Sequence, residues 1–191
     1  MTISRDSLLS LEAYARHRRQ HHDEDLEHRR LRRVQLGEVM SLQFEDEQTV
    51  RYQIQEMLRL QKVFEDEGID SELAAFEPLL PDGRNWKVTL TLEFSSADRR
   101  ERLAALRGVA RHVYAEVEGL PRLYALADED LPQAADAGSA VHLLRFELPD
   151  SMRLALRDGA ALVLGCDHEA LQLRAALEPQ TRELLVADLE D

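Results

Sequence analysis

The alternation of apolar and polar positions predicts several β strands separated by short turns. Residues 86–94 alternate without interruption, which indicates a strand with one buried and one polar face. Strands joined by short turns favour antiparallel pairing, so we expect an α+β fold: a mainly antiparallel sheet with helices packed on one face. Segments 86–94, 112–127 and 140–148 should be neighbours in one sheet. Hairpins are predicted at 112–127 and 160–176, and either a short hairpin or a bulged strand at 34–44.

Helical spacing of apolar residues is clearest between residues 46 and 66. One face of this segment carries the apolar residues Val50, Ile54, Met57, Leu58 and Phe64, and Gly68 is in the position expected of a C-cap glycine. We also expect an acidic, alanine-rich loop at 128–138, and Ser96 to cap a helix. Shorter helices are predicted at 70–77, 97–107, 150–159 and 179–190.

The first 33 residues form a segment of different character. Leu8, Leu11 and Ala15 have helical spacing, but residues 16–25 are polar throughout and lack an apolar stripe. These residues are expected to be a solvated helix or a mobile arm. The sequence therefore predicts a basic helical arm at 1–33 and a single α+β domain at 34–191.

Charge and cysteine content narrow the class of protein. The 191 residues carry a formal net charge of −13, yet residues 1–33 hold eight arginines against six acids. Such an acidic surface argues against binding DNA or an anionic membrane. One cysteine, Cys166, excludes an intramolecular disulfide and favours a reducing compartment. Without an apolar leader at the N-terminus, we expect a cytoplasmic protein.

Three segments together carry a resemblance to a known family. Thr49–Arg59 (TVRYQIQEMLR), Pro78–Asn85 (PLLPDGRN) and Val141–Leu148 (VHLLRFEL) resemble an uncharacterised bacterial protein family, a domain of unknown function of about this length. The likeness spans roughly residues 30–190. It implies a gene neighbourhood with rubrerythrin and an iron–sulfur oxidoreductase, and hence a link to peroxide or iron redox chemistry. It implies no activity.

Residues for an anion site come from these same segments. Arg51, Gln55 and Arg59 stand at i, i+4 and i+8 of the central helix and so share one face. Guanidinium groups bind carboxylates and phosphates bidentately, although arginines on a helix can equally pair with nearby acids. His142 is on the apolar side of its predicted strand, where a histidine is a candidate base or a core residue. The full candidate ligand-binding set is Arg51, Gln55, Arg59, Asn85, His142 and Arg145.

Two segments contain metal-type ligands, but we expect no metal site in either. His17, His21, Asp25 and His28 could share a helix face, yet arginines surround them. Adjacent residues in the Cys166-Asp167-His168 strand point to opposite faces. Phosphate-loop, dinucleotide-binding, serine-elbow and Cys-x-x-Cys signatures are absent from the sequence.

Two hypotheses about function remain open. The first is a non-catalytic accessory protein of a cytosolic peroxide or iron redox pathway, whose basic arm binds an acidic protein partner or a second copy in a homo-oligomer. The second is a small enzyme or ligand sensor that binds an anionic small molecule through the Arg/Gln/His set. The sequence leaves the cofactor unknown and does not decide whether the protein is an enzyme.

Overall fold

A computed structural model describes residues 3–95, 97–127 and 140–190, and it confirms an α+β fold with antiparallel sheets. The predicted cap Ser96 and the predicted loop 128–138 lie outside the described residues. The chain divides into two compact units, which are described separately. The helical unit comprises residues up to 31 together with 45–82, and the β unit comprises 32–44 together with residues from 83 onward.

The helical unit contains three α helices. They are α1 (Leu11–Leu31), α2 (Glu47–Gln61) and α3 (Asp66–Phe76), with short 3-10 turns at Arg5–Ser7 and Glu77–Leu79. Its small apolar core is formed by Ile3, Val50, Ile54 and Leu58, the last three from the face of α2 that helical spacing predicts. Asp46 caps α2 by accepting a hydrogen bond from the Thr49 amide at 2.9 Å.

The predicted helix at 46–66 is too long at its C-terminal end. Phe64, expected on its apolar face, lies in the connection between α2 and α3 and is 72% exposed. α2 ends at Gln61 because Lys62 adopts a left-handed conformation with φ of 56°, and a new helix begins at Asp66. Gly68 therefore lies inside α3 and is not a C-cap. A Cβ at Gly68 would come within 2.6 Å of a Val63 methyl group, so glycine permits the close approach of the connecting segment.

The β unit contains two sheets. The first has the strand order β1-β2-β3-β7-β6 and the second β5-β4-β8-β9. The strands are β1 (Arg33–Leu36), β2 (Met40–Glu45), β3 (Asn85–Leu92), β4 (Val113–Val117), β5 (Leu123–Tyr124), β6 (Leu126–Ala127), β7 (Val141–Glu147), β8 (Leu162–His168) and β9 (Leu171–Ala176). The hairpins expected at 112–127 and 160–176 are confirmed as β4–β5 and β8–β9, and of the two possibilities at 34–44 the hairpin is present as β1–β2.

The expectation of one sheet containing 86–94, 112–127 and 140–148 holds only in part, because within 112–127 only β6 lies in the first sheet, where it pairs with β7. β3 and β7 pair with each other, but β4 and β5 belong to the second sheet, where β4 pairs with β8. Alternation identifies a strand and its buried face, whereas the partner of a strand is set by long-range pairing.

Both sheets contribute to one apolar core with three further helices, α4 (Arg99–Ala105), α5 (Asp150–Arg157) and α6 (Pro179–Ala187). Trp86 is 1% exposed and donates its indole N–H to the Leu185 carbonyl at 2.9 Å. Phe44 and Phe146 pack edge-on against its ring. The indole thereby joins α6 to the first sheet, since its polar group is satisfied within the core.

Candidate functional site

The interface between α1 and α2 is polar and concentrates buried ionisable groups. Its first part, the Glu56 cluster, consists of Tyr14, Arg18, Glu56 and Arg59. The Tyr14 hydroxyl donates to Glu56 Oε1 at 2.7 Å, and Arg18 donates bidentately to the two carboxylate oxygens at 2.8 and 3.0 Å. Arg59 donates to Oε2 at 3.0 Å. One carboxylate therefore receives hydrogen bonds from three side chains on two helices.

These contacts shift the pKa values of the Glu56 carboxyl and the Tyr14 phenol. Burial alone would raise the pKa of Glu56, but the hydrogen bonds from Arg18, Arg59 and Tyr14 outweigh it and lower the pKa to about 2. Tyr14 is 2% exposed, and its pKa is raised by burial and then by its bond to the Glu56 carboxylate. At neutral pH the cluster holds an ionised carboxylate and a protonated phenol.

The second part of the interface is the Asp25 cluster, made of Asp25, Arg29, Glu45 and Thr49. Arg29 donates to Asp25 Oδ2 at 2.8 Å and to the Thr49 carbonyl at 3.1 Å, and its Nη1 lies 3.6 Å from Glu45 Oε2. Asp25 is 4% exposed. Burial raises its pKa, while the charge and hydrogen bond of Arg29 oppose that rise. Among the described residues, Asp25 Oδ1 has no hydrogen-bond partner.

Two histidines of α1 also contact the α2 side of the interface. His22 Nδ1 lies 2.9 Å from the Tyr52 hydroxyl, and His28 Nε2 lies 2.6 Å from Asp46 Oδ2. Burial raises the pKa of Tyr52, as do the charges of Glu56 and Asp25. These contacts explain why a helix without an apolar stripe packs, because its buried positions are paired polar groups.

The three predicted anion-binding residues of α2 have different partners within the helical unit. Arg51 forms an ion pair with Glu47 on its own helix, and Arg59 belongs to the Glu56 cluster. Gln55 is buried and pairs with the Leu9 backbone, accepting from the amide at 2.6 Å and donating to the carbonyl at 3.3 Å. Gln55 therefore fixes the segment that precedes α1.

The other three predicted residues lie in the β unit, and two of them meet. Asn85 Nδ2 donates to Glu147 Oε1 at 3.3 Å, and Arg145 Nη1 lies 3.2 Å from the same oxygen. Asn85 and Glu147 are directly paired in the register of β3 and β7. His142 is paired with Leu90 on the same two strands and is partly buried. A single site containing all six residues stays a prediction.

A cluster around Asp167 in the β unit was not predicted from the sequence. The Asp167 carboxylate accepts from the Tyr124 hydroxyl at 2.6 Å and from Arg122 at 3.4 Å, and it lies 3.3 Å from His112 Nδ1. The Tyr124 hydrogen bond, with help from His112, lowers the pKa of Asp167 against the effect of burial. These partners come from three places, the 3-10 turn before β4 (His112), the connection before β5 (Arg122) and β5 itself (Tyr124). Only the position of Asp167 on the partly exposed face of β8 is a sequence signal for this cluster.

The neighbours of Asp167 on β8 are buried. Cys166 is 1% exposed, and burial raises the pKa of its thiol. His168 Nε2 lies 3.2 Å from the Arg107 carbonyl, while its Nδ1 accepts from the Ala170 amide at 3.2 Å. Those two bonds require the tautomer with hydrogen on Nε2. Within 3–95, 97–127 and 140–190, no three His, Cys, Asp or Glu side chains are arranged as a metal-binding group.

The helical unit also has an apolar groove beside the N-terminal end of α1. The groove has a volume of about 320 Å³ and is lined by Leu8, Leu9, Leu11, Leu58, Val63, Phe64 and Ile69, with Arg5, Ser10 and Glu12. Phe64 is 72% exposed and Leu9 44%, and Leu60 near the end of α2 is 62% exposed. Arg5 lies at the groove and pairs with Asp66 at 2.6 Å and with Asp70.

No helix in the described part of the chain is both long enough and apolar enough to cross a membrane.

Comparisons with known proteins give a family and a relative of known structure. The model of a family described as "Protein of unknown function (DUF3501)" matches residues 2–189. A crystal structure of a novel protein of unknown function from Burkholderia pseudomallei is 46% identical, with complete coverage of both chains and a TM-score of 0.94. No curated protein gives a significant match. The fold is therefore shared with an experimentally determined structure, and no activity comes with it.

Proposed function

We propose that this chain, which belongs to the DUF3501 family of proteins of unknown function, is a non-catalytic accessory protein that binds a partner through its apolar groove. The observation that carries the proposal is the exposure of Phe64, at 72%, beside a groove lined by five leucine, isoleucine and valine side chains besides Leu9. Grouped exposed apolar residues are typical of binding surfaces.

The arrangement also has the features of a binding hot spot. An aromatic side chain and Leu9 surround an open cavity of about 320 Å³, which has room for an apolar side chain from a partner. Gln55 holds the backbone of Leu9 through two hydrogen bonds, so this wall of the groove is fixed before binding. A preformed wall lowers the entropic cost of association.

The pathway in this proposal comes from the family resemblance carried by segments 49–59, 78–85 and 141–148. It points to a cytosolic peroxide or iron redox pathway, with rubrerythrin or the iron–sulfur oxidoreductase as the partner. The state of Cys166 supports an accessory role, because a buried thiol with a raised pKa is poorly suited to react with peroxide.

The role of α1 as a basic arm for an acidic partner or a second copy remains a separate proposal. Arg16 and Arg19 are exposed on α1 and support it. Arg18 and Arg29 are already engaged by Glu56, Asp25 and Glu45. We therefore give the groove priority over the arm as the binding surface.

The test is a direct binding measurement with purified rubrerythrin and iron–sulfur oxidoreductase from the same organism, using biolayer interferometry. The double variant Leu9→Ser, Phe64→Ser should bind at least about tenfold more weakly than the wild type, as expected for a hot-spot pair. Leu154→Ser is the matched control, since Leu154 is an apolar residue of α5 in the β unit and is 59% exposed. Unchanged binding by the double variant would contradict the proposal.

A second candidate, binding of an anionic small molecule through the Arg/Gln/His set, is favoured by one observation. The Nε atoms of Arg51 and Arg59 are buried and have no hydrogen-bond partner among the described residues. An anion that reached either one would satisfy that donor. Inorganic phosphate and citrate should then raise the melting temperature of the wild type, and Arg51→Ala or Arg59→Ala should reduce that shift. Identical shifts in all three proteins would count against this candidate.

A further inference from the structure

We infer that the groove takes an amphipathic segment of another protein in which large apolar anchors are flanked by lysine or arginine. The inference rests on the proposed function and specifies the chemistry of the partner. Two features carry it, the apolar lining of the groove and the excess of acidic side chains around it.

The shape of the groove fits an apolar ridge more closely than a single small ligand. Its lining comes from three places, namely residues 5–12 at the start of α1, the last turn of α2, and the α2–α3 connection together with the beginning of α3. Leu9 and Phe64 remain 44% and 72% exposed, and Leu60 stands outside the cavity at 62%. Leu9 and Phe64, two large apolar residues exposed at one groove, need a partner with more than one anchor, as an amphipathic helix supplies at i, i+3 and i+4.

Charge around the groove selects a basic partner. Residues 5–12 and 58–70, which supply the lining, contain six carboxylates against three basic side chains. Arg5 offsets Asp66 and Asp70, and Arg59 is paired with Glu56 outside these ranges. Four of the six carboxylates are then left against one basic side chain, Lys62. Glu12 lines the groove, and Glu65 adjoins Phe64 at the start of α3; both are exposed. Lysine or arginine on the incoming segment would meet these carboxylates.

The same charges argue against a second copy of the chain as the occupant. The protein carries a formal net charge of −13, so two copies would repel each other as they approached. An acidic partner segment would likewise meet a negative rim. A basic segment gains both an attraction during approach and rim contacts when bound, whereas like charges brought together weaken the binding of an acidic segment.

The experiment uses two fluorescein-labelled peptides of about 18 residues with the same leucine stripe, one carrying lysine and the other glutamate at every polar position. Fluorescence anisotropy with the full-length protein should show the lysine peptide binding at least about tenfold more tightly. Raising the salt concentration from about 50 to about 300 mM should weaken that binding, because the rim charges are exposed.

Variants distinguish groove binding from general attraction to an acidic protein. Leu9→Ser, Phe64→Ser should lose the lysine peptide, and Glu12→Lys, Glu65→Lys should weaken it by at least about fivefold. Glu38→Lys, Glu169→Lys is the matched charge control, because both residues are exposed acids of the β unit, and it should bind as the wild type does. All four substituted positions that alter the groove are exposed, and melting curves verify that the variants are folded.

The outcomes separate this inference from the proposed function. If the lysine peptide binds the Leu9→Ser, Phe64→Ser variant as well as it binds the wild type, attraction is nonspecific and the inference is wrong. If neither peptide binds the wild type more tightly than the Leu9→Ser, Phe64→Ser variant, while the protein partner does, the basic-segment inference fails and the proposed function stands. If the protein partner also binds independently of Phe64, both fail.

Discussion

Glu56 provides the sharpest quantitative test of the polar α1–α2 interface. Its pKa is lowered from the ordinary 4.5 to about 2 by the hydrogen bonds from Arg18, Arg59 and Tyr14, which exceed the opposing effect of burial. A depression of that size corresponds to about 3 kcal/mol of stabilisation when the carboxylate is ionised. Glu56→Gln keeps an acceptor for Tyr14 but loses the charge, so we expect a loss of about 2 kcal/mol in the free energy of unfolding at pH 7.

The pH dependence follows from the sign of the shift. A carboxyl with a lowered pKa in the folded state stabilises the protein above its unfolded pKa, and the stabilisation is lost as the pH falls from 4.5 towards about 2. The difference between wild type and Glu56→Gln should therefore be full at pH 7 and much smaller near about pH 3.

Urea unfolding followed by far-UV circular dichroism and by tryptophan fluorescence measures this difference. The helices dominate the first signal, whereas the only tryptophan, Trp86, reports on the core of the β unit. Glu27→Gln is the matched control, because Glu27 forms an exposed ion pair with Arg30 at 2.7 Å and should contribute no measurable stability. Equal stabilities of the two variants, or a difference that does not change with pH, would refute the role assigned to Glu56.

Three further predictions concern buried groups. Burial raises the pKa of Asp25, so ionisation of its carboxyl lowers the free energy of unfolding as the pH rises above 3.8. The free energy of unfolding of Asp25→Asn should therefore increase relative to that of the wild type between about pH 4 and pH 7. Parallel pH profiles of the two proteins would contradict this. Cys166 should react with a thiol reagent such as DTNB only after unfolding, because it is 1% exposed and burial raises the pKa of its thiol; rapid labelling of the native protein would exclude its burial. Gly165→Ala would place a Cβ 2.4 Å from the Tyr114 ring and 2.7 Å from the Leu173 carbonyl, so thermal unfolding should show a loss of about 2 kcal/mol; an unchanged melting temperature would mean that β8 can shift.

Sequence patterns identify most elements of the β unit because apolar alternation directly reports burial. The strand predicted at 86–94 is β3, and the strand predicted at 140–148 is β7. The same alternation does not show that the strands divide into two sheets. β3 pairs with β7, a partner about fifty residues distant, and β4 pairs with β8 across a similar separation. No local pattern specifies such pairing.

The polar stretch at 16–25 shows where periodicity arguments fail. An absent apolar stripe predicts a solvated helix or a mobile arm at 16–25. These residues lie on α1 and most of them are exposed, but Asp25 is buried, as is Tyr14 just before the stretch. Their burial depends on individual hydrogen bonds to Glu56 and from Arg29, so hydropathy does not detect it. The candidate residues on α2 illustrate the same limit, since helical spacing places Arg51, Gln55 and Arg59 on one face but does not reveal their partners.

The helical unit is assembled from two stretches of chain with the β1–β2 hairpin between them. During synthesis α1 therefore leaves the ribosome before α2. The hydrogen bonds and ion pairs from α1 to residues 45–61 can form only after those residues have been synthesised. A protein shortened to begin at residue 34 would also lack the backbone that Gln55 holds and two of the three donors to Glu56. Deleting the first helix would thus damage the helical unit itself, and the phenotype of such a deletion would report on folding before it reported on binding.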